Sequence, residues 1–393
     1  MALDVCIIEL SWVCMNGLGA NVHYMFMFVR HIVAGMDEIR RRALKGRGAI
    51  SNDSSRFERE RRVLVDDGWE EGREEERAPA TVVGDDSART VISRNASPDV
   101  PFEQSLNPYK GCEHACIYCF ARPTHAYLGL SPGLDFETRL FRKKNAAELL
   151  DRELRAKNYV CQPLAIGANT DPYQPIERTE RITRAVLEVC RDFNQPVGLI
   201  TKSALVTRDI DILGPMAERG LAAVAVSVTT LDRGLARRME PRASTPGRRL
   251  EAVRELTNAG VPVSVLASPM IPGLNDHELE AILAAGAEAG AVGGSYIMLR
   301  LPLEIKELFE EWLREHVPDR AERVLSLIRQ ARAGGLYQAE FGTRMTGTGP
   351  IAELLSRRFK LACRRLGLHG RRWDLDCGQF RAPPRAGDQL TLL

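Results

Sequence analysis

Short apolar runs alternating with longer amphipathic stretches constrain this chain more than any other feature of its 393 residues. The runs fall at 104–109, 163–168, 196–201, 221–228, 261–267 and 295–299, and most are rich in β-branched residues. Strands buried on both faces read as continuous apolar runs of this kind. Between them, 145–157, 178–193, 208–219, 247–258 and 276–289 carry helical spacing. Thr245-Pro246 and Asn275-Asp276 look like helix starts. Asn258-Ala259-Gly260 looks like a helix stop followed by a turn. Strand and helix in alternation predict an α/β fold with a parallel sheet. Six such units fit an open, six-strand βα barrel. In βα barrels the chemistry collects at the carboxyl ends of the strands, and those ends are where site residues are sought.

The first run leads into Asn107-Pro108-Tyr109-Lys110-Gly111-Cys112-Glu113-His114-Ala115-Cys116-Ile117-Tyr118-Cys119-Phe120. Its three cysteines stand at i, i+4 and i+7, and Gly111 frees the backbone to wrap just before the first thiol. Three thiolates this close select a soft metal: zinc, copper(I) or iron–sulfur. A closed zinc site recruits a fourth local ligand, often from a second paired motif. No such motif follows, although His114 and His125 are near. A four-iron cluster held by three thiolates would keep one iron open.

C-x-x-x-C-x-aromatic-C resembles the signature of the radical S-adenosylmethionine (SAM) superfamily. The longer stretch 107–129, with Ala121-Arg122-Pro123-Thr124-His125, is similar to the branch related to spore photoproduct lyase. The resemblance implies a partial TIM barrel and a [4Fe–4S] cluster on Cys112, Cys116 and Cys119. It implies that the open iron chelates the amino and carboxylate groups of SAM. One electron, from a reducing partner such as a flavodoxin or ferredoxin, would then give a 5′-deoxyadenosyl radical that takes hydrogen from substrate. Such radical chemistry belongs to the cofactors, and the protein supplies position and exclusion of water. Two positions depart from the lyases. Where those enzymes carry a cysteine three residues before the aspartate matching Asp171, this chain has Ala168. Where they carry a tyrosine directly after the third cluster cysteine, it has Phe120. The resemblance therefore bears on cofactor chemistry more than on repair of thymine dimers.

The strand ends bring Asn169-Thr170-Asp171, Thr201-Lys202-Ser203, Ser227-Val228-Thr229 and Ser268-Pro269-Met270-Ile271 to one face. Asp171 can accept from the SAM ammonium, Lys202 can pair with its carboxylate, and Thr170 and Ser227 can bond polar edges. Tyr118 and the Met270-Ile271 edge suit the adenine. The resemblance makes Thr170, Asp171, Lys202 and Ser227 cofactor contacts; singly, each also reads as a cap, a turn or a surface charge. His125 and Tyr127 could face substrate or shield the cluster, and a tucked structural histidine is the alternative. Arg233, Arg237, Arg238 and Arg242 read either as an anion clamp or as a solvated basic helix paired with Asp232 and Glu240. No residue stands out as catalytic.

After Pro302 the pattern turns helical, at 304–316, 319–332 and 351–366, with Pro350 in the first turn of the last helix. Arg357, Arg358, Lys360, Arg364, Arg365, Arg371 and Arg372, interleaved with Phe359 and Trp373, form the best local candidate for a polyanion surface. Leu354, Leu355, Phe359 and Leu361 are expected on its barrel side. The net charge of +2 gives no global field that would attract nucleic acid. Nucleic acid is the leading substrate class, with modification of RNA or protein, or a non-enzymatic zinc or iron–sulfur binding module, as alternatives.

Nine cysteines without a disulfide pattern are expected in a reducing, cytoplasmic protein. No apolar run approaches the roughly eighteen residues of a membrane span. Residues 1–35 are apolar and methionine-rich without a basic lead, so a secretory signal is not expected, and Met36 is the expected natural start. The expected organisation is a poorly ordered leader and charged arm over 1–101. The radical SAM partial barrel follows over 102–302, a helical extension over 303–380, and a flexible tail over 381–393.

Overall fold

Every position of Ala222–Ser227 is buried, as a strand covered on both faces requires. The computed structural model describes residues 5–8, 42–58, 60–63, 79–370 and 374–384. Six parallel strands pair in chain order: β1 Gln104–Leu106, β2 Leu164–Ile166, β3 Val197–Thr201, β4 Ala222–Ser227, β5 Val263–Met270 and β6 Gly293–Met298. Ser93–Arg94 adds antiparallel to β1 and His369–Gly370 adds parallel to β6. The sheet therefore ends in an edge strand on each side, and the barrel is open.

Helices cover the sheet between strands: α1 Ala146–Leu154, α2 Ile182–Phe193, α3 Ile210–Glu218, α4 Arg233–Met239, α5 Pro246–Asn258 and α6 Leu279–Glu288. Leu187 of α2, Leu213 of α3 and Val253 of α5 join the strand residues in one core. Fully burying each such side chain contributes about 1.5–3 kcal/mol.

Two expected elements divide. The run 104–109 stops at Leu106, and Tyr109–Lys110 instead joins Val82–Asp85 and Arg139–Arg142 in a small second sheet. Pro108 lacks an N–H and cannot continue the ladder. The helix expected over 178–193 breaks at Arg181, whose φ of 52° is left-handed. Buried Glu177 accepts the Thr183 N–H at 3.1 Å and thereby starts α2 afresh.

The helical extension comprises α7 Ile305–His316, α8 Ala321–Gln330 and α9 Gly349–Leu366. Trp312 of α7, fully buried, lies in a second core with Ile117 and Tyr118 of the cysteine loop and with Leu235 and Met239 of α4. The extension thus props the cysteine loop from behind. On α9, Ala352, Leu355 and Ala362 are buried and Phe359 packs on Tyr296. Leu354 and Leu361, expected on the barrel side, are exposed instead. They fall on the outer face, because 352, 355, 359 and 362 already fill the inner stripe at helical spacing.

Upstream of the barrel, Gly48 and Ala49 donate their N–H groups to the buried Glu137 carboxylate at 3.0 and 2.8 Å. Gly48 also lies against the Ala115 carbonyl and Ala49 shares a core with Cys116, so this segment meets the cysteine loop. Residues 1–4 and 9–41, with the expected start at Met36, and residue 59, residues 64–78, Arg371, Arg372, Trp373 and the tail after residue 384 lie outside the described residues.

Candidate active site

The cysteine loop is shaped by its neighbours. Gly111 sits at φ 75°, and a Cβ there would meet the Leu140 side chain at 2.7 Å. Gln174, buried, accepts the Glu113 N–H at 2.8 Å and donates to the Gly111 carbonyl at 3.2 Å. Arg122, fully buried, donates to the carbonyls of Cys116 at 2.9 Å, Pro132 at 3.1 Å and Gly133 at 2.9 Å, and pairs with Glu137. The backbone that presents the thiols is thus fixed by two buried side chains, one of them charged and compensated. Gln174, Arg122 and Glu137 were not singled out from sequence as loop supports.

Cys112, Cys116 and Cys119 open into one cavity of about 400 Å³. Burial pushes the Cys112 and Cys116 thiols well above their ordinary range. Burial also raises Cys119, against the pull of Arg122. Thiols so placed are poor free nucleophiles but good metal ligands, since a metal deprotonates a coordinating thiol. Three thiols on one cavity wall suit a soft metal or an iron–sulfur cluster.

Four of the seven residues expected to contact cofactor also line this cavity: Tyr118, Asp171, Lys202 and Ser227. The Lys202 ammonium lies 5.7 Å from the centre of the Tyr118 ring. The Asp171 carboxylate is already engaged. It accepts from the Thr201 hydroxyl at 2.7 Å and from the N–H groups of Lys202 at 2.7 Å and Tyr173 at 2.9 Å, with His114 Nδ1 at 3.3 Å. Burial pushes its carboxyl up, but His114 and these donors outweigh it and hold it at about 2.

Thr170, Met270 and Ile271 do not line the cavity. The Thr170 hydroxyl donates to the Tyr109 carbonyl at 2.7 Å. Met270 and Ile271 are fully buried in the two cores. Apolar side chains at a strand end went into packing because α6 and α8 cover that end.

A second buried hub holds Tyr118. Its hydroxyl bonds to Glu240 and lies 3.1 Å from the Thr229 hydroxyl. Glu240 pairs with Arg249, which also donates to the Ser227 carbonyl at 3.0 Å. Glu240 is 3% exposed, so it does not neutralise a solvated basic helix. Asp232 caps α4, Arg242 pairs with Glu113 at 2.8 Å, and Arg233, Arg237 and Arg238 are exposed and away from the cavity lining. His125 is buried with Nε2 2.9 Å from the Arg139 carbonyl, a structural histidine. Tyr127 is exposed beneath the Arg56 guanidinium.

A model of the Radical SAM superfamily matches residues 106–285, from β1 through α6. A protein of Mycobacterium tuberculosis, described only as uncharacterized, is 35% identical over 233 residues, 59% of this chain and 68% of that one. The chain belongs to the radical SAM superfamily. A Methanocaldococcus jannaschii protein, also uncharacterized, is 26% identical over 218 residues, 55% of this chain and 77% of its own length. Spore photoproduct lyase, in a variant with bound SAM and dinucleoside spore photoproduct, shares the fold. The TM-score is 0.52 at 15% identity, covering 74% of this chain and 81% of that one. The protein is therefore an enzyme of the radical SAM class, whose cofactors are a [4Fe–4S] cluster and SAM and which requires a reductant. Membership sets aside the reading as a non-enzymatic binding module. No helix among the described residues is long and apolar enough to cross a membrane.

Proposed function

We propose that Cys112, Cys116 and Cys119 hold the cluster of this radical SAM enzyme, and that Lys202, Ser227 and Tyr118 form the SAM site beside it. The observation that carries this reading is the meeting of all six side chains on one cavity. When bound, the cofactor pair supplies a carbon-centred radical that takes hydrogen from substrate. The chain's own part is to bind, orient and exclude water. Lys202 offers its ammonium to the SAM carboxylate, and Ser227 offers its hydroxyl to a polar edge. Tyr118, fixed through Glu240, supplies an aromatic wall. Asp171 has about four acceptor sites and four contacts already. We therefore assign it to holding the Lys202 backbone and His114 in place rather than to direct contact with the SAM ammonium.

We further propose a nucleic acid as substrate, bound through the outer face of α9. Arg357, Lys360, Arg364 and Arg365 are exposed there, whereas Arg358 pairs with Glu280 at 2.6 Å. Ala168 and Phe120 both line the cavity, and neither carries a thiol or hydroxyl hydrogen for a product radical. This favours modification of the nucleic acid over dimer repair; a protein substrate is the second reading. A flavodoxin or ferredoxin fits the requirement for a one-electron donor. The test is anaerobic reconstitution followed by dithionite and SAM. Release of 5′-deoxyadenosine, lost in Cys116→Ala, is the expected result. Protein that takes up no iron, or that leaves SAM intact, overturns the reading.

A further inference from the structure

Not every cation on the cavity wall has a carboxylate partner among the described residues. Asp171 is engaged by His114 and three donors. Arg344 pairs with Asp99 and bonds to Ser97. Two cations on the wall, Lys202 and Arg300, form no ion pair among the described residues. They stand three strands apart, Lys202 just after β3 and Arg300 just after β6. SAM brings one carboxylate, which the proposed function gives to Lys202. Arg300 remains.

The surroundings of Arg300 hold it in readiness for an anion. Its Nε is buried without a hydrogen-bond partner among the described residues. Among the described residues one terminal nitrogen meets the Met345 sulfur, at 3.5 Å, a weak acceptor. Its guanidinium lies 5.4 Å from the centre of the Phe120 ring, which orients the planar fork. Asp99, the acid that feels its charge, is taken by Arg344 and by the Gly342 N–H at 2.7 Å. A buried donor left unmade costs about 1–3 kcal/mol, and Arg300 as a residue lines the cavity, where an anion could meet its guanidinium. The guanidinium fork matches the two oxygens of a phosphate or carboxylate.

We infer that Arg300, backed by Phe120, is an anion subsite for the substrate, so that the group entering the cavity beside SAM carries a phosphate or a carboxylate. This inference rests on the proposed SAM site. It adds a requirement that the family chemistry does not impose, since hydrogen abstraction needs no charge on the substrate.

The experiment uses the full chain, anaerobically reconstituted, and reads the thermal unfolding midpoint. SAM is added first, and its own shift is recorded. Inorganic phosphate is then titrated in one arm and acetate in the other, with ionic strength held by chloride. A ligand that binds only the folded state raises the midpoint saturably. Wild-type protein is expected to respond to at least one anion, and the responding arm tells a phosphate-bearing from a carboxylate-bearing substrate. Arg300→Met should weaken that response at least tenfold, Arg300→Gln likewise, and Arg300→Lys should keep part of it. Equal responses in wild type and Arg300→Met, or none to either anion, overturn the subsite. A SAM shift without an anion response removes this inference alone. No SAM shift at all removes the cofactor reading and this one with it.

Discussion

The backbone of Gly48 lies against the carbonyl oxygen of Ala115 so closely that a Cβ at Gly48 would overlap it. Ala115 stands between the first two cluster-loop cysteines and holds a left-handed φ of 58°. A segment outside the residues matched by the family thus sets the shape of the loop inside it. Gly48→Ala should force the two backbones apart and destabilise by about 1–3 kcal/mol, as overpacking does. Urea denaturation gives the loss, and iron per chain after reconstitution should fall with it. A variant of wild-type stability and iron content would show that residues 47–51 do not constrain the loop.

The Glu137–Arg122 pair joins that segment to the Cys116 carbonyl, and both side chains are fully buried. Removing one partner of a buried ion pair leaves an uncompensated charge and costs about 3–5 kcal/mol. Glu137→Ala should show that full cost in denaturation. Glu137→Gln keeps an oxygen for the Ala49 N–H, so its loss should be clearly smaller. If glutamine proves no better than alanine, the carboxylate charge facing Arg122, rather than shape or the Ala49 hydrogen bond, holds the loop.

These two relationships mark where reading the sequence stops. Continuous apolar runs and helical spacing placed all six parallel strands and most helices, because burial on two faces leaves a pattern that neighbours along the chain share. The spacing singled out three cysteines, and the strand ends Lys202 and Ser227, and the structure puts all five on one cavity. Glu137, Arg122, Gln174 and Arg249 were not, since each acts on residues distant in sequence; Glu137 reaches Gly48 across 89 positions. Met270 and Ile271, expected at the adenine, lie in the two cores for the same reason. An apolar strand end looks identical whether a cofactor or α8 covers it.

Cysteine substitutions separate cluster ligands from packing thiols. Cys112→Ala, Cys116→Ala and Cys119→Ala should each lose the cluster's visible absorbance and all SAM cleavage, because three thiolates have no spare ligand. Cys190 is buried in the main core and Cys161 lies 3.6 Å from the Gln195 side chain. Their alanine variants should keep both properties. Bleaching in Cys161→Ala would mean that the ligand set is not the three loop cysteines.

Lys202→Ala should weaken SAM binding while leaving the cluster in place. Losing a charged hydrogen bond of this kind costs about 1.5–3 kcal/mol, or roughly ten- to a hundredfold in affinity. Asp171→Ala should behave differently. It strips acceptors from Thr201, the Lys202 backbone and Tyr173 together, so stability should fall along with SAM affinity. Calorimetry for SAM and denaturation for stability, run on both variants, distinguish the two roles. An Asp171→Ala protein of unchanged stability and weakened SAM binding would return the carboxylate to direct contact with the ammonium.

The outer face of α9 gives the test of a nucleic-acid substrate. Arg357, Lys360, Arg364 and Arg365 are exposed there, while Arg358 donates to Glu280 at 2.7 and 2.6 Å and to the Asp276 carbonyl at 3.0 Å. Only the first four should count as phosphate contacts. Each phosphate neutralised adds about 0.7–0.9 to the slope of log affinity against log salt. Reversing Arg357, Arg364 and Arg365 to Glu should remove most of that slope and abolish binding of single-stranded DNA or RNA. Uncoupled SAM cleavage should persist, because the cysteine-lined cavity sits at the strand ends and α9 packs on the outside of the sheet. Arg358→Ala, by contrast, should leave the slope nearly intact and loosen α9 from α6. Wild-type protein without salt-dependent binding to any nucleic acid would end the nucleic-acid proposal and leave a peptide or small anionic substrate for the same radical chemistry.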